Sequence, residues 1–180
     1  LDIGANSGLY SMIVSKFQKK IKIKSFEPIK KAILKFRENI LINENMENIE
    51  IFEFGLSNIN SKLLMKSLKK KNYIQTGGFG VAKKNENLNN LHTEYAEFKR
   101  GDTVLTILNK NLVIKIDAEG HEKEVLDGLE NTIKNNNVFL QIEIFDKNFD
   151  NVTKVLKKQN FAQIHMIESD NKKDYYFKNY

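Results

Sequence analysis

The stretch Asp2-Ile3-Gly4-Ala5-Asn6-Ser7-Gly8 decides how the rest of the chain is read. It has the form D-x-G-x-x-x-G, between the apolar tail of a strand, Leu1-Asp2-Ile3, and a helical pattern over 8–20. Glycines in such a turn let a ligand approach the backbone, and the amides of a helix N-terminus favour a carboxylate or phosphate. In the helix, Leu9, Met12, Ile13 and Phe17 share one face, and the lysines at its end suit the negative pole of the helix dipole. Ile21 to Phe26 is a second strand that stops at Glu27-Pro28. Pro28 suits the opening of the next helix, because a first helical position needs no amide donor.

Working outward, the helix over 29–43 carries Ile33, Phe36, Ile40 and Leu41 inward, and Ile49 to Phe54 is a third strand ending at Gly55-Leu56-Ser57-Asn58. Residues 59–100 break the rhythm and read as inserted short strands or loops, with Phe79 of Thr76-Gly77-Gly78-Phe79-Gly80 at a hairpin tip. Leu112 to Ile116 is a fourth strand. Glu122 to Lys134 is a helix with Val125, Leu126, Leu129 and Ile133 inward. The apolar run Val138 to Ile144 reads as a fifth strand buried on both faces. A helix over 148–159 and strands over 161–167 and 174–178 complete the chain.

Such alternation builds an α/β fold, a mostly parallel sheet with helices on both faces, here as a single domain over 1–180. Ligands of such sheets bind at the carboxyl ends of the strands. That rule singles out Asp2–Gly8, Glu27, Ser57, Asp117–Gly120 and Glu143.

Composition removes several classes of function. With 41% hydrophobic and 29% charged residues among 180, the chain has enough apolar material for a core. Twenty-seven of its 29 basic residues are Lys. Base-edge readers and bidentate phosphate clamps favour Arg, so the net charge of +6 does not point to nucleic acid. The lack of Cys excludes a disulfide scaffold, a thiolate zinc site and a cysteine nucleophile. No apolar run reaches the length of a membrane span, and the cytoplasm is the expected compartment.

Glu27 lies at the end of the second strand, where an acidic side chain accepts both hydroxyls of a ribose. Alone, it is compatible with a surface Glu on an ordinary turn. Together with the glycine loop it favours a nucleoside ligand. A dinucleotide fingerprint wants G-x-G-x-x-G, whereas position 6 is Asn and position 9 is Leu. Asp2 would sit badly beside a pyrophosphate but well near the amino end of a methionine moiety. S-adenosylmethionine therefore fits better than NAD, and an NAD-dependent oxidoreductase is the second reading. A non-catalytic binding domain is the third.

The second dense cluster is Lys115-Ile116-Asp117-Ala118-Glu119-Gly120-His121-Glu122. A carboxylate at that strand end can orient or deprotonate a hydroxyl for in-line attack on a methyl group, and Asp117 is the first candidate, Glu119 the second. Glu119 and Glu122 equally suit the N-terminus of the helix that follows. His121 reads as a base or as an exposed helix-start residue, and Lys115 as the partner of a nearby carboxylate. Asp117, Glu143 and Asp146 form a conceivable oxygen set for Mg²⁺, but capping of the next helix is the preferred role for Asp146. The expectation is no metal.

These segments, with Phe26-Glu27-Pro28, Asn39 and Asn43, and Val125-Leu126-Asp127-Gly128, resemble the FkbM family of S-adenosylmethionine-dependent methyltransferases. The resemblance runs in order from residue 1 to Glu143. It implies a class I methyltransferase fold of Rossmann-like type and O-methylation, often of sugars in glycans or natural products. By motif position it implies Asp2, Gly4, Ala5, Asn6 and Gly8 around the methionine part of the cofactor. Glu27 with Pro28 falls at the ribose and Ser57 near the adenine. Family members normally begin before this point, so an incomplete first strand is expected. Ala118 stands where Val is commoner.

Acceptor chemistry narrows further. Amino methylation of bases uses a [D/N]-P-P-aromatic element, and Pro28 is the only proline. Cytosine C5 methylation needs a cysteine. Oxygen acceptors remain, and a sugar or glycan hydroxyl is the expected substrate.

Overall fold

The computed structural model describes residues 1–44, 46–69, 76–169 and 172–180. The first elements are β1 (Asp2–Ile3), α1 (Leu9–Phe17), β2 (Ile23–Phe26), α2 (Lys30–Leu41), β3 (Ile49–Phe52), β4 (Gly55–Ser57), β5 (Ser61–Leu68), β6 (Gly80–Val81) and β7 (Leu91–Arg100). Then come α3 (Gly101–Val104), β8 (Asn111–Ile116), α4 (Glu122–Gly128), α5 (Glu130–Lys134) and β9 (Asn137–Phe145). A 3₁₀ turn (Asp146–Asn148), α6 (Phe149–Lys158), β10 (Ala162–Ser169) and β11 (Lys172–Lys178) follow. The chain divides into two compact units. One comprises Asp2–Gly55 and Ser61–Phe98, and the other Leu1, Leu56–Asn60 and Lys99–Tyr180.

In the first unit β1, β2 and β3 are parallel neighbours, with Asp2 opposite Ser25 and Ile23 opposite Ile49. Parallel neighbours need crossovers, which α1 and α2 supply. α2 buries Ala32, Ile33 and Phe36. Leu41, expected inward, is 84% exposed. It lies one residue, and so about 100°, beyond the stripe that Ile33, Phe36 and Ile40 define.

α1 departs further from expectation. Its length ends at Phe17 rather than 20, and the residues it buries are Ser11 and Ser15. Leu9, Ile13 and Phe17 are exposed. The buried serines are satisfied: Ser11 Oγ donates to Asp2 Oδ2 at 2.5 Å, and Ser15 Oγ to Asn48 Oδ1 at 2.5 Å. Periodicity correctly gives a helix there, but the hydrogen bonds choose the face.

The segment read as short strands or loops is regular. β5 pairs antiparallel with β7 from Ser61↔Phe98 to Leu68↔Leu91, and with β6 at Met65↔Val81. Residues 70–75 of that segment lie outside the described residues. Phe79 is no hairpin tip: it is buried in a small core with Ile29, Ala32, Met65, Ala96 and Phe98.

In the second unit β8 pairs parallel with β9, which pairs antiparallel with β11, itself antiparallel to β10. Leu1 runs beside β8, its carbonyl accepting from Lys115 N at 2.9 Å. β9 is buried on one face only, through Val138, Leu140, Ile142 and Ile144, while Phe139, Gln141, Glu143 and Phe145 are half-buried. The expected helix over 122–134 is broken at Leu129, although Val125, Leu126, Leu129 and Ile133 are all buried as expected. The Asp102 carboxylate explains the break. It accepts from Asn131 N at 3.0 Å, Thr132 N at 2.9 Å and Thr132 Oγ1 at 2.9 Å, satisfying amides that α5 leaves open at its start.

Among the described residues no helix is long and apolar enough to cross a membrane.

Candidate functional site

In the first unit the glycine loop hooks over the end of β2, where Gly4 N and Ala5 N both donate to Phe26 O at 3.0 and 3.1 Å. Gly4, Asn6 and Gly8 have left-handed backbones, with φ of 77°, 50° and 82°. Gly8 is required twice over, since a Cβ there would also lie 2.0 Å from the Phe36 ring. Ala5 is buried beside them.

Glu27 locks this loop. Its buried carboxylate accepts from Asn6 N at 2.7 Å through Oε2 and from Ile29 N at 2.9 Å through Oε1. It therefore ties the loop to the start of α2. Pro28 sits one residue before the N-cap, Ile29, so it does not open the helix as expected. Glu27 serves that end instead. Asn39 adds a second tether, donating to Ser7 O at 2.9 Å, and Asn43 donates to Asn39 O at 2.7 Å.

Asp2 lies beneath the loop, 2% exposed, with Oδ2 taken by Ser11, whose hydroxyl is also 2.8 Å from Ser25 Oγ. Asp2 thus anchors α1 to the sheet. Asn6 Oδ1 is buried and meets no hydrogen-bond partner among the described residues. Gly77 packs against the same side chain, for a Cβ at 77 would come within 2.9 Å of Asn6 Nδ2. Sequence reasoning missed Ser11, Ser25 and Gly77. Ser11 carried a faint signal, as a polar position at i and i+4 with Ser15 on the side of α1 opposite its apolar stripe.

In the second unit Asp117 directly follows β8, and Glu143 lies near the end of β9. The parallel register, Ile116↔Ile142, sets these positions side by side. Carboxylate oxygens of Asp117, Glu119 and Glu143 lie within 4.8 Å of one another. Lys115 Nζ is 3.6 Å from Asp117 Oδ2, as its unusual strand position implied. Asp146 does not join them: it pairs with Lys173 at 3.4 Å and makes no side-chain cap at α6.

The loop after Asp117 is tightly folded, with Glu119 and Gly120 at φ 49° and 99°. Gly120 N donates to Glu122 Oε1 at 2.7 Å. Glu122 is 1% exposed, and its Oε2 has no hydrogen-bond partner among the described residues. Burial pushes its carboxyl above the usual carboxylate range, and the charges of Asp117 and Glu119 add to this against the opposing Gly120 amide.

His121 is not an exposed helix-start residue. Its Nε2 is 2.9 Å from Ser57 Oγ, its Nδ1 3.6 Å from Glu124, and burial lowers its pKa against the opposing pull of Glu124. Ser57 itself is buried. Gly128 backs it closely: a Cβ at 128 would fall 1.9 Å from Ser57 O. The Ser57–His121 link was invisible in the sequence, where the two are 64 residues apart. His92 pairs with Glu94 and His165 packs on Tyr176, so neither joins a ligand cluster.

Residues 2–167 match the Methyltransferase FkbM domain. Among solved structures, the chain is similar to methyltransferase FkbM from Methylobacillus flagellatus KT, with a TM-score of 0.61 at 12% identity. That match covers 98% of this chain and 42% of the Methylobacillus one. It is also similar to precorrin-6y C5,15-methyltransferase from Geobacter metallireducens GS-15, with a TM-score of 0.57 at 13% identity, covering 98% and 76% of the two chains. A SAM-dependent methyltransferase from Aquifex aeolicus gives a TM-score of 0.54 at 11% identity, covering 99% and 80%. At these identities the likeness is one of fold. The chain spans less than half the length of the Methylobacillus protein. No curated protein matches it in sequence.

Proposed function

Because the chain belongs to the FkbM methyltransferase family and has the class I methyltransferase fold, we propose that it moves a methyl group from S-adenosylmethionine to a hydroxyl of a sugar or glycan. The observation that carries the cofactor assignment is the buried Asn6 Oδ1, an acceptor without a donor among the described residues, set in a loop that Glu27 and Asn39 hold in shape. A buried acceptor costs about 1–3 kcal/mol until a donor reaches it. The ammonium of a methionine moiety is such a donor. A pyrophosphate is not.

Bound S-adenosylmethionine supplies a methyl group on a positively charged sulfur, open to in-line displacement by an oxygen nucleophile. The protein's part is to bind, orient and accept a proton. Glu27, at the end of β2, shapes the loop through its backbone hydrogen bonds and is the residue assigned to the ribose hydroxyls. Gly4, Ala5 and Gly8 offer backbone at close approach, and Pro28 carries the chain past the ribose into α2. Ser57, whose hydroxyl is 2.9 Å from His121 Nε2, is assigned to the neighbourhood of the adenine by its motif position.

Asp117, half-exposed at its strand end, accepts the proton of the attacking hydroxyl or orients it, with Glu119 in support and Lys115 holding the Asp117 carboxylate in place. Removing a general base lowers turnover by about 10²–10⁴-fold. Asp117→Asn should therefore lose turnover by that order while S-adenosylhomocysteine binds as before. The assay is methyl transfer to a panel of sugar hydroxyls, with amines as controls. Ordinary turnover in the variant would remove Asp117 from its role, and transfer to amines alone would overturn the hydroxyl assignment.

A further inference from the structure

α1 carries its apolar side outward, with Leu9, Ile13 and Phe17 at 64%, 50% and 75% exposure, at i, i+4 and i+8 on one side of the helix. Its inner side is closed by serines whose hydroxyls are hydrogen-bonded. The stripe runs into Lys16-Phe17-Gln18-Lys19-Lys20-Ile21-Lys22, seven consecutive exposed residues with four lysines and no acid. Asn48 fixes the shape of this segment, donating to Ile21 O at 2.9 Å and Gln18 O at 3.3 Å. We propose that the outward face of α1 and the 16–22 segment form a docking surface for an anionic lipid bilayer.

Charge complementarity selects that occupant. Glu47 and Glu50 share the hollow beside 19–23, but Glu50 is paired with Lys24 at 2.5 Å, so basic charge prevails there. A second copy of the chain would bring the same four lysines face to face across a symmetric contact. A bilayer interface instead takes up both features together. Its acyl boundary accepts Leu9, Ile13 and Phe17, and its phosphate-bearing headgroups accept the interleaved lysines. Leu41 and Ile42, both strongly exposed at the end of α2, directly precede Asn43, whose side-chain amide is 4.0 Å from the Met12 sulfur on α1. The surface is independent of the catalytic reading, since none of its residues belongs to the cofactor loop or the carboxylate cluster.

The test is co-sedimentation of the full chain with vesicles of phosphatidylcholine, with and without phosphatidylserine, over a range of salt. Binding is expected only where phosphatidylserine is present, and should weaken as salt rises. The charge-reversed double variant Lys20→Glu/Lys22→Glu, at exposed positions outside any helix or strand, should lower partitioning by about tenfold or more. Phe17→Ser should lower it as well without changing the circular dichroism. No sedimentation by the parent chain, equal binding to both vesicles, or indifference to both variants would overturn the proposal. So would a dimer in light scattering that Phe17→Ser dissolves, which would assign the stripe to self-association.

Discussion

Replacing Glu27 with Gln tests whether one carboxylate holds the cofactor loop in place. Each of its oxygens accepts one backbone amide, from Asn6 at 2.7 Å and from Ile29 at 2.9 Å, and the group is 5% exposed. The glutamine amide keeps one acceptor and turns its NH₂ toward the other backbone N–H, so one amide loses its partner and the second keeps a neutral bond. A hydrogen bond to a charged group contributes about 1.5–3 kcal/mol and a neutral one about 0.5–1.5 kcal/mol. The loss is therefore about 2–4 kcal/mol, against a total of about 5–15 kcal/mol for a domain. The variant should still fold, with its urea midpoint lowered by about 1–2 M for an ordinary denaturant slope. Circular dichroism in urea reads the shift, and titration with S-adenosylhomocysteine should show weakened binding at temperatures where the variant is folded. A midpoint indistinguishable from the parent's would refute the loop-locking role whatever became of cofactor binding.

Three further outcomes follow from the same geometry. Gly128→Ala places a Cβ 1.9 Å from Ser57 O and 2.6 Å from Ser57 C, and backbone cannot swing away. The overlap, about 1–3 kcal/mol or more, should outweigh the roughly 1 kcal/mol that Ala gains over Gly in a helix, and a lower melting temperature would show it. Glu122 has a carboxyl pKa raised by burial above its ordinary 4.5, so its contribution to stability is full below that value and is lost as pH rises through the raised one. Glu122→Gln, which cannot ionise but keeps an acceptor for Gly120, should flatten stability against pH in that window and should not destabilise at neutral pH; an unchanged slope would contradict it. Gly8→Ala combines a φ of 82° with a 2.0 Å approach to the Phe36 ring, and its loss, about 2–4 kcal/mol, should appear as a lowered urea midpoint.

The parts legible in the sequence were those that local chemistry dictates. The D-x-G-x-x-x-G loop, the parallel strands around it and the apolar positions of α4 and α5 follow from glycine conformation and hydrophobic period. The family motif held the same residues in order, and the chain matches that family over 2–167. What stayed hidden depended on partners far along the chain. Ser11 and Ser15 face inward because Asp2 and Asn48 receive their hydroxyls, and no moment of hydrophobicity registers that. Phe79 is buried because Met65, Ala96 and Phe98 of a paired sheet close over it, although flanking glycines read as a turn tip. The helix over 122–134 breaks because Asp102, about thirty residues earlier, supplies acceptors for a second start. Asp146 pairs across to Lys173 rather than capping α6, a choice set by register between β9 and β11.

The most direct test of the central claim is isothermal titration of S-adenosylhomocysteine into the folded chain, with NADH as the control. Micromolar binding of S-adenosylhomocysteine, lost in Asn6→Ala and absent for NADH, is the result expected of a loop whose buried acceptor waits for an ammonium. Tight binding of NADH alone, or no binding of S-adenosylhomocysteine by a sample that unfolds cooperatively in urea, would contradict it.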